Sequence, residues 1–366
     1  MRPSFLRLCW LMGLLCGGVA TAIAVTAVPV QAQSTSAVVL MYHRFGEGAF
    51  PSTNIRLDQL EDHIAALQSG GHTVVPLADV AAALRGERDL PDRAVAITVD
   101  DAYQSFLTQG WPRFKAAGFP VTLFVATAGV DAGYSDLLTW DELRALQTDG
   151  VTIGAHSHSH GHFPAMSADV VADDLTQAKA SFVRELGHIP ALFAFPYGEA
   201  GQADLDMVQA AGFAAAFGQH SGAAGPLANP FYLPRFALNE SFGNPARFRL
   251  IADTLPLPIV SIDPLESVLT ENPPVLTLSL INPPSNIVAL TCFGPGGTTV
   301  TSAVDAGISP GQIWITPEQM FSKGRVRVNC TLPALGAGQE GRWHWFGWQM
   351  ISGFETEGVP VHARYQ

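Results

Sequence analysis

At 366 residues, with 48% hydrophobic and 14% charged side chains, the chain is long enough for one large domain or two ordinary ones, and too apolar to stay disordered. Its formal net charge of −12, with no basic stripe, argues against a phosphate-backbone partner, so no nucleic acid is expected to bind.

Arg2 and Arg7 precede the apolar run Leu8 to Ala27, and Val30-Gln31-Ala32 offers a small-x-small cleavage pattern. Residues 1–32 therefore read as a secretory signal peptide, with an uncleaved membrane anchor as the alternative because the run is long. The chain is expected to be exported: periplasmic, associated with the cell envelope, or secreted. Cys9 and Cys16 would leave with the signal, which keeps Cys292 and Cys330. In an oxidising compartment that pair predicts a disulfide, with two buried free thiols as the alternative.

From Ser36 to about Leu255, short β-branched runs alternate with stretches of helical periodicity. The runs fall at residues 37–43, 72–77, 94–101, 120–127, 151–158, 191–198 and 213–218. Gly70, Gly118, Gly150, Gly187 and Gly212 stand where helix C-caps are wanted. Such alternation predicts an α/β domain of parallel strands covered by helices. Seven units suggest a distorted, about seven-stranded (β/α) barrel-like closure, with chemistry at the C-terminal strand ends; a doubly wound open sheet is the alternative. After about Pro256 the texture becomes short alternating runs between Pro- and Gly-rich turns, which predicts a small all-β, sandwich-like domain. The expected division is 1–32 signal peptide, 33–255 catalytic domain and 256–366 accessory domain. Trp343, Trp345, Phe346 and Trp348 form an aromatic cluster in that last part, either a sugar-stacking platform or packing against the first domain.

Candidate site residues cluster at strand ends. His43 follows the first strand, Asp100 and Asp101 close "AVAITV", His156 and His160 follow "VTIG", and Pro196, Tyr197 and Gly198 follow "ALFAF". Adjacent carboxylates repel, so a metal or a positive group is expected to compensate them. One Asp with two His makes a set of three ligands with positions left open for water and substrate. His156 and His160, four apart, come together if the chain turns helically after the strand, and His158 then points elsewhere.

These segments resemble the metal-dependent polysaccharide deacetylases, carbohydrate esterase family 4. "ITVDDAY" is similar to that family's Thr-Phe-Asp-Asp-Gly motif, "HSHSH" to its His-Ser/Thr-x-x-His motif, and "FAFPYG" to its Arg-x-Pro-Tyr-Gly region. "MYHRF" and "LPRF" resemble a subgroup acting on extracellular poly-N-acetylglucosamine. The resemblance, over roughly residues 37–250, implies that Asp101, His156 and His160 bind a divalent metal, with zinc the expected ion. It implies that Asp100 is the general base and that the backbone N–H of Tyr197 steadies the oxyanion. Ala102 replaces the motif glycine, and Ala194 stands where many members carry the arginine that orients the base. Arg235 is the candidate to supply that charge, or else a surface arginine. No late Leu-x-His motif is found, so His43 is the candidate general acid, with a packed structural histidine as the alternative.

The expected function is metal-dependent hydrolysis of N-acetyl groups from an amino-sugar polysaccharide such as poly-N-acetylglucosamine, a chitin-like polymer or peptidoglycan glycan. An O-acetyl esterase, a small-molecule amidase and a catalytically silent glycan-binding protein are the alternatives.

Overall fold

The computed structural model describes residues 33–295, 299–304 and 311–353. The expected signal peptide lies outside the described residues. Among them no helix is long and apolar enough to cross a membrane.

Seven strands follow one path through the first sheet: β1 (Ala37–Tyr42), β2 (Ala94–Asp100), β3 (Val121–Val125), β4 (Thr152–Ala155), β5 (Leu192–Ala194), β6 (Ala215–Phe217) and β7 (Ala223–Ala224). β1 to β6 lie side by side in chain order and all parallel, while β7 runs antiparallel on the free side of β1. A doubly wound sheet would reverse its order at a switch point, and this one does not. Its two sides are drawn round to each other by the segment 233–237. Leu233 exchanges backbone hydrogen bonds with Ala216 and Gly218 at 2.9 Å, and Phe236–Ala237 runs parallel to β1 opposite Leu40 and Met41. The result is the curled, barrel-like sheet expected from the alternation.

The strands are buried on both faces because helices cover the outside and side chains fill the inside. Every residue of β1 and β2 is buried, Asp100 included. The helix Ala168–Leu186 shows how the covering layer is encoded. Val171, Asp174, Leu175, Ala178, Ser181 and Phe182 fall on its inward face at three- and four-residue spacing. Ser167 accepts from the Val170 N–H at one end, and Gly187, at φ 77°, ends the other in the left-handed conformation. At Gly70 the expectation differs in detail: Gly70 keeps φ −87°, and the left-handed residue is Gly71.

The C-terminal portion is a second, antiparallel sheet: β8 (Ile259–Asp263), β9 (Leu276–Leu280), β10 (Thr291–Phe293), β11 (Thr299–Val304), β12 (Gln312–Pro317), β13 (Gly324–Pro333) and β14 (Trp343–Ser352), in the order 8-9-12-11-10-13-14. Burial alternates along β9 and β13, the mark of a sheet with one covered face. Both sheets belong to one compact unit, and one buried cluster runs from Phe236 and Tyr232 to Val328 and Met350. Within it Trp345 meets Phe236 edge-on at 5.3 Å and Trp348 meets Tyr232 at 5.8 Å, so the aromatic cluster packs against the barrel.

Cys292 and Cys330 face each other in β10 and β13 and are joined as a disulfide across 38 residues. Cross-linking a loop of that size restricts the unfolded chain by about 2–4 kcal/mol. Calorimetry with and without reductant is expected to show a melting temperature several degrees lower for the reduced chain. An unchanged melting temperature with both thiols demonstrably free would contradict this.

Candidate active site

Asp100, the last residue of β2, has no exposed surface, and a carboxylate so placed needs a charged partner. Arg235, equally buried, supplies it: Nη1 and Nη2 donate to Oδ1 and Oδ2 at 2.7 and 2.8 Å. The rest of the guanidinium is also engaged, with Nε donating to the Gly218 carbonyl at 2.8 Å and Nη1 to Thr98 Oγ1 at 3.2 Å. Arg235 is therefore no surface arginine, and it stands where Ala194 cannot act. Burial pushes the Asp100 carboxyl up, but Arg235, then His156 and His43, more than offset it and hold it below the usual carboxylate range.

Asp101 is swung to the same side by a reversal of the backbone. φ is 74° at Asp101 and 59° at Ala102, so the alternation of the strand stops at Asp100. His156 follows β4 directly, and its Nδ1–H donates to the Ala194 carbonyl at 2.7 Å, which leaves the Nε2 lone pair free. That Nε2 lies 3.5 Å from Asp101 Oδ1, and His160 Nε2 lies 3.0 Å from the same oxygen. The approaches do not make good hydrogen bonds, so Asp101 Oδ1 and His156 Nε2 are buried polar atoms without such a partner. Ligand atoms of all three residues fall within 4.8 Å of one another. An unsatisfied carboxylate oxygen and imidazole, with a second imidazole converging on them, fit a divalent cation. Burial pushes Asp101 up, while His160 and His156 hold it well below the ordinary value. His158 takes no part: its Nδ1 pairs with Thr127 Oγ1 at 2.7 Å.

The histidine loop is held in an unusual conformation. Of seven non-glycine residues with left-handed backbone among the described residues, Ser157 and His160 lie in this loop, and Asp101, Ala102 and Tyr197 lie in the neighbouring loops of the site. Each costs on the order of 1–3 kcal/mol unless its surroundings fix it. Asp174 does much of the fixing, its two carboxylate oxygens accepting from the His158 and Ser159 N–H groups at 2.8 Å. Sequence reasoning missed Asp174, although an acid on the apolar face of its helix was a signal.

His43 places Nε2 3.9 Å from Asp100 Oδ2. Burial lowers its pKa, Asp101 and Asp100 raise it, and the balance lies below the ordinary histidine value. The turn Pro196–Gly198 follows β5 with Tyr197 at φ 59° and Gly198 at φ 68°. A Cβ at Gly198 would lie 2.3 Å from the Gln219 nitrogen, so only glycine fits there. The Tyr197 ring lies edge-on to His160 at 4.7 Å and flat on His162 at 4.1 Å, and His162 Nδ1 pairs with the buried Glu199 carboxylate. His162, the last of the four alternating histidines, was given no role and Glu199 was missed, because the partners of both lie far off in the sequence. An apolar cavity of about 350 Å³ between the two sheets, lined in part by Leu205, His220 and Trp348, is a separate feature that none of Asp100, Asp101, His156 or His160 lines.

A curled parallel sheet with an Asp-His-His cluster and an Arg-paired aspartate at its C-terminal face has the layout of a barrel-type active centre with a candidate metal site. Residues 87–216 match the family model described as polysaccharide deacetylase, and the chain carries a domain of that family. The Bacillus subtilis (strain 168) protein YxkH is 21% identical over 186 residues, 51% of this chain and 65% of that one. A poly-beta-1,6-N-acetyl-D-glucosamine N-deacetylase of Escherichia coli (strain K12) is 35% identical over 78 residues, 21% of this chain. This chain thus spans less than two thirds of either relative, and only 12% of the second. Among solved structures, IcaB from Ammonifex degensii shares the fold, with a TM-score of 0.53, 20% identity, and coverage of 61% of this chain and 98% of that one.

Two outcomes are expected from this geometry. His156→Ala and His160→Ala should each lose divalent-metal uptake measured by elemental analysis, whereas His158→Ala should keep it; equal loss in all three would overturn the ligand set. Arg235→Met should destabilise the fold by about 3–5 kcal/mol, because it strands a buried charge. Adding Asp100→Leu should recover most of that loss in denaturant melts but restore no turnover.

Proposed function

We propose that the protein hydrolyses N-acetyl groups on an amino-sugar polysaccharide outside the cytoplasm, with poly-N-acetylglucosamine as the favoured polymer. The carrying observation is the fully buried Arg235–Asp100 pair beside the Asp101, His156 and His160 cluster. The named activity of the Escherichia coli relative supports the choice of polymer, and the sequence of residues 1–32 supports export.

A divalent cation held by Asp101, His156 and His160, with zinc suiting that donor set, would supply a Lewis acid that polarises the acetamide carbonyl and makes water more acidic. Asp100 takes the proton from the attacking water. Arg235 keeps that carboxylate ionised and aimed, since both oxygens are fixed by its planar fork. The backbone N–H of Tyr197 donates to the developing oxyanion, an interaction worth most where charge appears only in the transition state. His43 delivers a proton to the departing nitrogen, close enough to Asp100 to collect the one taken from water.

The test separates amide from ester chemistry. Asp100→Asn leaves the buried Arg235 charge unpaired and should lower the melting temperature; assayed below that temperature it should keep its metal, while amine release from N-acetylglucosamine oligomers falls by about 10²–10⁴. His43→Ala should lose at least about 10² on the same oligomers. It should still cleave an acetyl ester with a good leaving group at nearly the normal rate, because that oxygen departs without protonation. Equal losses on both substrates would make His43 a structural or binding residue. Acetate release from O-acetylated glycans, with no amine release from any oligomer, would replace the reading by an esterase.

A further inference from the structure

We propose that the C-terminal sheet is part of the catalytic apparatus, with Gln349 of β14 and Arg325 of β13 as positioning residues for the Pro196–Gly198 turn. The inference rests on the deacetylase reading for its catalytic consequence, and on contacts between the two sheets for its geometry.

Tyr197 is bent into a left-handed conformation, at φ 59° and ψ 3°, that a bulky residue adopts only when its neighbours over-determine it. Its carbonyl oxygen accepts from Arg325 Nη1 at 3.1 Å and from Gln349 Nε2 at 3.2 Å. Both donors come from the second sheet. The same Gln349 Nε2 donates to the Gly198 carbonyl at 2.7 Å, so one amide group grips two successive carbonyls across the bend. Gln349 has no exposed surface, and its Oε1 accepts from Arg327 Nε at 2.9 Å, which fixes which way the amide faces.

Arg325 grips the tyrosine a second time through its ring. The guanidinium carbon lies 5.4 Å from the ring centroid, a cation–π approach. Arg325 Nε also pairs with Glu199 Oε1 at 3.4 Å, and the other carboxylate oxygen of Glu199 holds His162, whose ring lies flat on Tyr197. Backbone and ring of Tyr197 are thus both referred to the second sheet. Its N–H, the proposed oxyanion donor, is part of the unit being held. A donor displaced by as little as an ångström can cost about 10² in rate, so support of this kind acts on turnover more than on affinity.

Two variants with different folding risk test this on the full chain. Gln349→Met keeps the volume and removes the amide; Arg325→Met changes a half-exposed side chain and removes both grips. Each is expected to lower kcat on N-acetylglucosamine oligomers about tenfold to a hundredfold with KM changed less than threefold, and to keep the metal content of the parent. Amide hydrogen exchange over residues 196–199 should speed up in both, and Arg325→Lys should recover part of the loss. Unchanged exchange in this segment in both variants overturns the positioning role, whatever the substrate proves to be. If exchange speeds up but the parent chain releases no amine, the positioning stands and the deacetylase reading fails instead. A KM effect alone, with kcat intact, would make these residues substrate contacts and overturn the proposal.

Discussion

The ion pair between Asp100 and Arg235 constrains the rest of the molecule, because both charges are fully buried and 135 residues apart in the chain. Burying two charges costs several kcal/mol each, and only a fork-to-fork geometry with every donor used returns it. The guanidinium comes close to that condition, with four hydrogen bonds donated to Asp100, Thr98 and the Gly218 carbonyl. It can do so only if the segment 233–237 is drawn between β6 and β1, the same pairing that curls the sheet. Barrel closure and orientation of Asp100 are therefore one structural requirement.

That requirement also explains how two adjacent aspartates take different jobs. Asp100 accepts from Arg235 on both oxygens, so its charge is already compensated and its orientation set by the guanidinium. Asp101, one residue on, enters a left-handed bend and turns its Oδ1 to His156 and His160. The two carboxylates avoid mutual repulsion because each has its own positive or potentially positive surroundings. The backbone strain at Asp101, Ser157, His160 and Tyr197 is the cost of this arrangement, and buried groups such as Asp174 keep it from relaxing.

Much of this was legible in the sequence, for reasons that are local. Parallel strands covered by helices write a period change every few residues, so six of the seven expected runs fall on strands of the sheet path, while the run 72–77 gives only the short strand Thr73–Val74 beside β2 and the strand Ala223–Ala224 went unread. The Asp pair and the His156–His160 spacing are short-range patterns as well. What escaped reading was side chains whose partners are distant in sequence. Arg235 could be read as surface or buried because nothing near it says where Asp100 lies. Glu199 and Gln349 sit in stretches whose local pattern is satisfied without them, and their partners come from other sheets or loops. His43 and Arg235 both fall outside residues 87–216, the part that matches the family model, yet the fold brings both to Asp100.

The second sheet divides the site into two dependencies. Asp101, His156 and His160 lie on the strand ends and following loops of the barrel, and their supports are as local, Ala194 at the end of β5 and Asp174 on the covering helix Ala168–Leu186. Nothing in that set requires β13 or β14. The Tyr197 turn is the opposite case, because donors from both of those strands hold its carbonyl groups. A barrel whose second sheet is loosened would keep the geometry of its Asp-His-His cluster while the Tyr197 turn lost its support. The two parts of the site would then respond separately. A sheet that folded independently of the barrel would have no need of a fully buried glutamine reaching into the Pro196–Gly198 turn, and the direction of Gln349 ties the C-terminal strands to that turn.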